Sequence, residues 1–124
     1  MTVTTYETDA FPEKGTVGIE ISFTDENGNA VTPDSITWTL TNMPASYTET
    51  PTVINNREDV SVTPDSTVTV VLKGDDLSLL STELDESFVD RVLSLEYTYT
   101  SSYGSGLPGK AQYIFTVENM YYNN

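Results

Sequence analysis

Five stretches of this chain alternate apolar and polar side chains with a period of two. Val17, Ile19, Ile21 and Phe23 are separated by Gly18, Glu20 and Ser22, and Ile36, Trp38 and Leu40 by Thr37 and Thr39. Val68, Val70 and Leu72 repeat the pattern, as do Leu93, Leu95, Tyr97 and Tyr99, and then Ala111, Tyr113, Phe115 and Val117. In an extended chain successive side chains point to opposite faces, so each stretch puts its apolar set on one side. A helix would scatter those residues around its axis. The chain must therefore build sheets that bury one face.

Composition agrees. Threonine occurs 20 times, and β-branched residues pack well on a pleated surface. The 124 residues suit one domain, 1–124, with residues 1–10 and 119–124 as flanking arms. Trp38 is the sole tryptophan and stands mid-strand between aliphatic neighbours, the place of a core anchor. Turn signals space the strands. Asp25 to Asn29 carries Asn and Gly, which tolerate positive φ, and the corner Val31-Thr32-Pro33-Asp34-Ser35 recurs letter for letter as Val62 to Ser66. A first edge strand is read at 2–8 and a short one at 52–55. Residues 101–110, rich in Gly, Ser and Pro, read as a long hairpin loop, and 42–51 as an exposed loop. Leu77, Leu80 and Leu84 fall at helical spacing within 77–88, which predicts one short crossover helix. Arg91 continues the inward face of its strand and is expected to snorkel to solvent. The sum is an all-β, immunoglobulin-like Greek-key β-sandwich of about seven strands with one short crossover helix.

Charge limits the partners. Nineteen acidic against five basic residues give a net charge of −14. Such a surface repels phosphate backbones and anionic lipid, so neither nucleic acid nor membrane is an expected partner. Residues 1–15 have no basic n-region or apolar h-region and are read as no signal peptide. The chain contains no cysteine and no histidine, which removes thiolate and imidazole chemistry, including every Ser–His–Asp or Cys–His arrangement. No cofactor is called for, and no small-molecule ligand is expected. Asp25, Asn27 and Asn29 begin like a calcium loop, but that loop needs Gly sixth and Glu twelfth, where Ala30 and Ile36 stand. A looser oxygen-ligand site near Asp25 stays open. The acidic clusters Asp75-Asp76 and Glu83, Asp85, Glu86 read as solvated loop.

Two resemblances attach to these segments. ISFTDENGNAVTPDSITWTLTN resembles the bacterial immunoglobulin-like repeats of adhesins and invasins. Asp25, Gly28, Asn29 and Val31 match their inter-strand turn, and Trp38 their following aromatic. VLSLEYTYTSSYGSGLPGKAQYIFTVENM is similar to small accessory proteins of tailed bacteriophages, in its "LEYTY" strand, its Leu-Pro loop end and its "FTVEN" strand over residues 93–120. Together they imply a non-enzymatic virion module, in capsid decoration, cement or a tail or neck position, held to other virion proteins in symmetric copies. The alternative is an extracellular adhesion or carbohydrate-binding module of a larger surface protein. Neither resemblance carries catalytic residues.

Contact residues are sought among aromatic and apolar side chains in loops and the tail, where exposure marks interaction. Tyr47, Tyr103, Leu107, Tyr121 and Tyr122 are the candidates.

Overall fold

The computed structural model describes residues 2–44, 46 and 48–121, with the side chains of 2–9 left aside. Seven strands run in the order β1 (Thr2–Pro12), β2 (Thr16–Ser22), β3 (Ser35–Asn42), β4 (Val60–Val62), β5 (Thr67–Lys73), β6 (Phe88–Ser101) and β7 (Gly104–Glu118). They form two sheets. One has five strands in the order β1-β7-β6-β3-β4, and the other pairs β2 with β5. The large sheet is mixed, because β1 runs parallel to β7 while its other pairings are antiparallel. The structure is thus all-β and two-layered. No helix among the described residues is long and apolar enough to cross a membrane.

The alternation seen in the sequence is what closes the two layers. Ile19 and Phe23 from β2 and its exit, and Val68, Val70 and Leu72 from β5, face Ile36, Trp38 and Leu40 of β3. Leu93, Leu95, Tyr97 and Tyr99 of β6 and Phe115 and Val117 of β7 complete the buried cluster. Trp38 is buried within it, as its position predicts. Phe23 meets Tyr97 edge-on with ring centroids 4.8 Å apart, a favourable quadrupole arrangement. Gly109 is required beneath that ring, since a Cβ there would overlap Tyr97.

Several expectations are corrected. The segment read as a crossover helix is a strap of two 3-10 turns, Gly74–Leu77 and Ser81–Glu83. Ser78 and Leu80 are extended and break the helix between them. Leu77 is buried and Leu79 and Leu80 pack against the core, but Leu84 faces solvent. An α-helix could not present Leu77, Leu79 and Leu80 downward together while turning Glu83 inward. The expected loop 101–110 is mostly strand: Leu107 pairs with Tyr99 and Lys110 with Glu96, leaving Ser102 and Tyr103 as the tip of a tight hairpin. The edge strand expected at 2–8 is present and longer, since β1 runs along β7 at the edge of the large sheet. At 52–55 there is only a bridge, Thr41 to Val53. Arg91 does not snorkel. It is fully buried.

Candidate docking surface

Strand directions gather functional side chains at the two ends of the sandwich. At one end β1 and β7 finish, β2 and β6 begin, β3 and β5 stop, and the strap crosses; we call it the strap pole. At the other lie the Asp25–Asn29 turn and the β6–β7 hairpin, the hairpin pole.

The strap is fastened by two buried carboxylate sites. Arg91 Nη2 meets Glu83 Oε1 at 2.6 Å and Nη1 meets Glu83 Oε2 at 2.9 Å, a two-pronged pair. Arg91 also donates to the carbonyls of Ser78 and Asp90. Burial alone would push the Glu83 carboxyl up; the bonds from Arg91 and the Leu80 N–H, with the charge of Arg91, hold it below its ordinary value. Asp76 is 2 % exposed. It accepts hydrogen bonds from Asn55 Nδ2 and Arg57 Nε, each 2.8 Å, and from the Lys73 N–H at 3.1 Å. Burial raises its pKa, and these partners outweigh burial, leaving a net lowering. The reading of Asp76 and Glu83 as solvated loop is therefore corrected. Asp76 and Glu83 are structural anchors, each spoken for by an arginine. Buried Asn119 completes the clasp, donating from Nδ2 to the carbonyls of Leu84 and Glu86.

Exposed apolar side chains gather at this end. Among the described residues seven large hydrophobics are exposed, and five of them, Met43, Leu84, Phe88, Met120 and Tyr121, stand at the strap pole. Single exposed apolar residues need no explanation, but convergence of five on one end does. Tyr121 is 89 % exposed, and its N–H, with that of Met120, is held by Glu13 Oε1. The tail is thus tied back onto the β1–β2 turn. Glu86 and Asp90 are exposed acids beside Met43 and Phe88, and Glu49, Asp75 and Asp85 are exposed as well.

The chain matches no protein-family model, no curated protein and no solved structure.

The sequence-derived candidates divide between the poles. Tyr121 belongs to the apolar surface. Tyr47 and Tyr122 lie outside the described residues. Tyr103 is 73 % exposed but sits at the far pole, where its N–H bonds Ser101 Oγ. Leu107 is half-buried and packs against the core. Met43, Leu84, Phe88 and Met120 do not stand out in the sequence. One signal exists for Phe88: in the β6 alternation, odd positions face inward, so an even-numbered aromatic must face out.

At the hairpin pole the Asp25 turn is scaffold. Asp25 Oδ1 accepts the N–H groups of Asn27 and Asn29 at 2.9 and 3.0 Å, the bonding of a side chain that shapes its own turn. Glu26 Oε1 accepts from Tyr99 and Ser101 hydroxyls. Among the described residues no three His, Cys, Asp or Glu side chains gather as metal ligands.

Proposed function

We propose that this chain is a non-enzymatic binding module that attaches to another protein through its strap pole. The observation that carries the reading is the gathering of Met43, Leu84, Phe88, Met120 and Tyr121 on one end of a closed sandwich. Interfaces draw their energy from a few clustered apolar and aromatic anchors. The clasp beneath, with Arg91 and Asp76 buried and bonded, preorganises that end, so little ordering is needed on binding.

The setting we infer is a virion, in keeping with the resemblance of residues 93–120 to phage accessory proteins. Repeated copies on a symmetric particle multiply a modest single contact into firm attachment. The net charge of −14 keeps free copies apart before assembly. We further read the sandwich as an immunoglobulin-like Greek key. In its support, β2 and β5 share one sheet while β3, β6 and β7 share the other, the partition of B and E from C, F and G in such domains. β4 then extends the larger sheet beyond β3.

The test is assembly. Wild type and a Leu84→Ser/Phe88→Ser variant are expressed in the host that carries the gene, and particles are purified and quantified by mass spectrometry. The wild-type chain is expected in fixed stoichiometry and the variant depleted. Absence of the wild-type chain from particles, with a monomer binding glycans instead, would overturn the virion setting. Equal incorporation of the variant would overturn the docking surface.

A further inference from the structure

Where the end of β3 approaches the start of β6, the strap pole contains a recess of about 280 Å³. Its apolar walls are Met43, Pro44, Phe88 and Val89. Its polar side is wholly acidic, made by Glu83, Glu86 and Asp90. We propose that this recess receives an arginine side chain of the partner protein. The inference rests on the docking reading above and names the chemistry of its centre.

Size is the first argument. The volume falls just short of the roughly 300 Å³ at which small-molecule pockets begin, and it suits a single long side chain. Chemistry is the second. A recess with an apolar wall and an acidic side is the complement of a side chain with an aliphatic stem and a cationic head. An aromatic wall favours arginine, because a guanidinium stacks on a ring face while its fork reaches a carboxylate. Phe88 is half-exposed and supplies the ring.

The acids are not equally free, and this selects the docking atoms. Glu83 is fully engaged by Arg91 and the Leu80 N–H. Asp90 Oδ1 accepts from Thr116 Oγ1, which leaves Oδ2. The Glu86 side chain has no hydrogen bond among the described residues, and its backbone is pinned through its N–H to the Glu83 carbonyl and through its own carbonyl to Asn119. Glu86 and Asp90 Oδ2 therefore present uncompensated negative charge beside the ring. Arg91 is the nearest arginine in sequence, but it is buried and committed to Glu83. Lys14 and Lys73, the lysines of this pole, lie on the β1–β2 turn and β5 and do not line the recess. A second copy of the chain is a poor occupant, since it would bring a like-charged rim to this one.

The test uses the full chain, isotopically labelled, titrated by NMR with a capped Gly-Leu-Arg-Leu-Gly peptide and with the same peptide carrying citrulline, which keeps the shape and loses the charge. Shifts are expected to centre on Met43, Phe88, Val89 and Asp90, with the arginine peptide binding about five- to tenfold tighter, the range of a partly exposed charge-assisted contact. Glu86→Gln/Asp90→Asn should reduce the arginine peptide to the citrulline level. Phe88→Ser should weaken both peptides. Both variants alter surface positions, and an unchanged urea midpoint verifies the fold. Equal affinity of the two peptides, shifts centred elsewhere, or no binding overturns the arginine recess. Each of those results leaves the docking reading to its own test, since particle incorporation of the Leu84→Ser/Phe88→Ser variant is scored without any peptide.

Discussion

The Arg91–Glu83 pair makes the sharpest prediction. Arg91 is 0 % exposed and its partner side chain 12 %. Replacing Glu83 by Gln keeps the shape and the acceptor for the Leu80 N–H but leaves a guanidinium charge buried without its counter-ion. Breaking a buried pair from one side costs about 3–5 kcal/mol. For a domain of this length that corresponds to a loss on the order of 10–20 °C in melting temperature. The double variant Glu83→Gln/Arg91→Met removes the stranded charge and fills its place with an apolar chain. It should be more stable than Glu83→Gln alone by about 2 kcal/mol or more, because apolar replacements of buried pairs are often neutral. Urea unfolding of wild type, both single variants and the double variant gives the coupling directly. The pH dependence adds an independent check. Glu83 is held below its ordinary pKa, so its contribution is complete above the unfolded carboxylate range and is lost as pH falls through the lower folded value. Wild type should weaken below about pH 4 more steeply than the double variant. A cost for Glu83→Gln under about 1 kcal/mol, the size of an exposed pair, would refute the argument that burial governs this site.

Asp76→Ala should destabilise by about 1–3 kcal/mol in urea unfolding, because it removes the buried carboxylate on which donors from Asn55, Arg57 and Lys73 converge. Gly109→Ala should cost about 1–3 kcal/mol, measured the same way, since its methyl group collides with the Tyr97 ring; a Gly109→Ala/Tyr97→Leu pair should recover part of it. Burial first, then the hydrogen bond to Glu26, pushes the Tyr99 phenol above its ordinary value. Its neutral form therefore adds stability that is complete below the unfolded phenol range and lost as pH rises through the folded value, and ultraviolet titration of Tyr99→Phe should lack one late-ionising phenol.

The layers were legible in the sequence because period two leaves little choice. Val17, Ile19, Ile21 and Phe23 can share a face only in a strand, and β2 obeys them. The same holds for β3, β5, β6 and the later half of β7. The misread segments share a cause, which is that local composition was outvoted by distant partners. Gly104, Gly106 and Pro108 look like loop residues, yet the antiparallel ladder with β6 runs through Pro108 and Leu107 and, past an irregularity at Ser105 and Gly106, resumes at Gly104. It can do so because Gly106 takes a positive φ of 65° and because the Tyr97 ring needs a residue without a Cβ at 109. Leu77, Leu80 and Leu84 have helical spacing, but Arg91, eight residues past Glu83, draws the Glu83 carboxylate inward and flattens the strap.

The proposed docking surface was hidden for a related reason. Exposure is a property of the assembled ends, not of any one segment. Met43 follows β3, Leu84 sits on the strap, Phe88 opens β6 and Met120 trails β7, so nothing in the linear order joins them. Each also has an innocent local reading: a loop residue, a helix core position, a strand start, a tail. A criterion of aromatic and apolar residues in loops selects Leu107, which lies half-buried in the β6–β7 ladder, and Tyr103, which lies at the opposite pole. Parity is the better criterion. Once Val89, Arg91, Leu93, Leu95, Tyr97 and Tyr99 are assigned inward, Phe88 is forced outward at the strand's first residue. An aromatic held outward at a sheet end, next to the carboxylates of Glu86 and Asp90, completes the proposed contact site only after the strap has folded over Arg91. On this account the buried ion pair and the exposed patch are one construction, and loosening the first by Glu83→Gln should also weaken whatever binds the second.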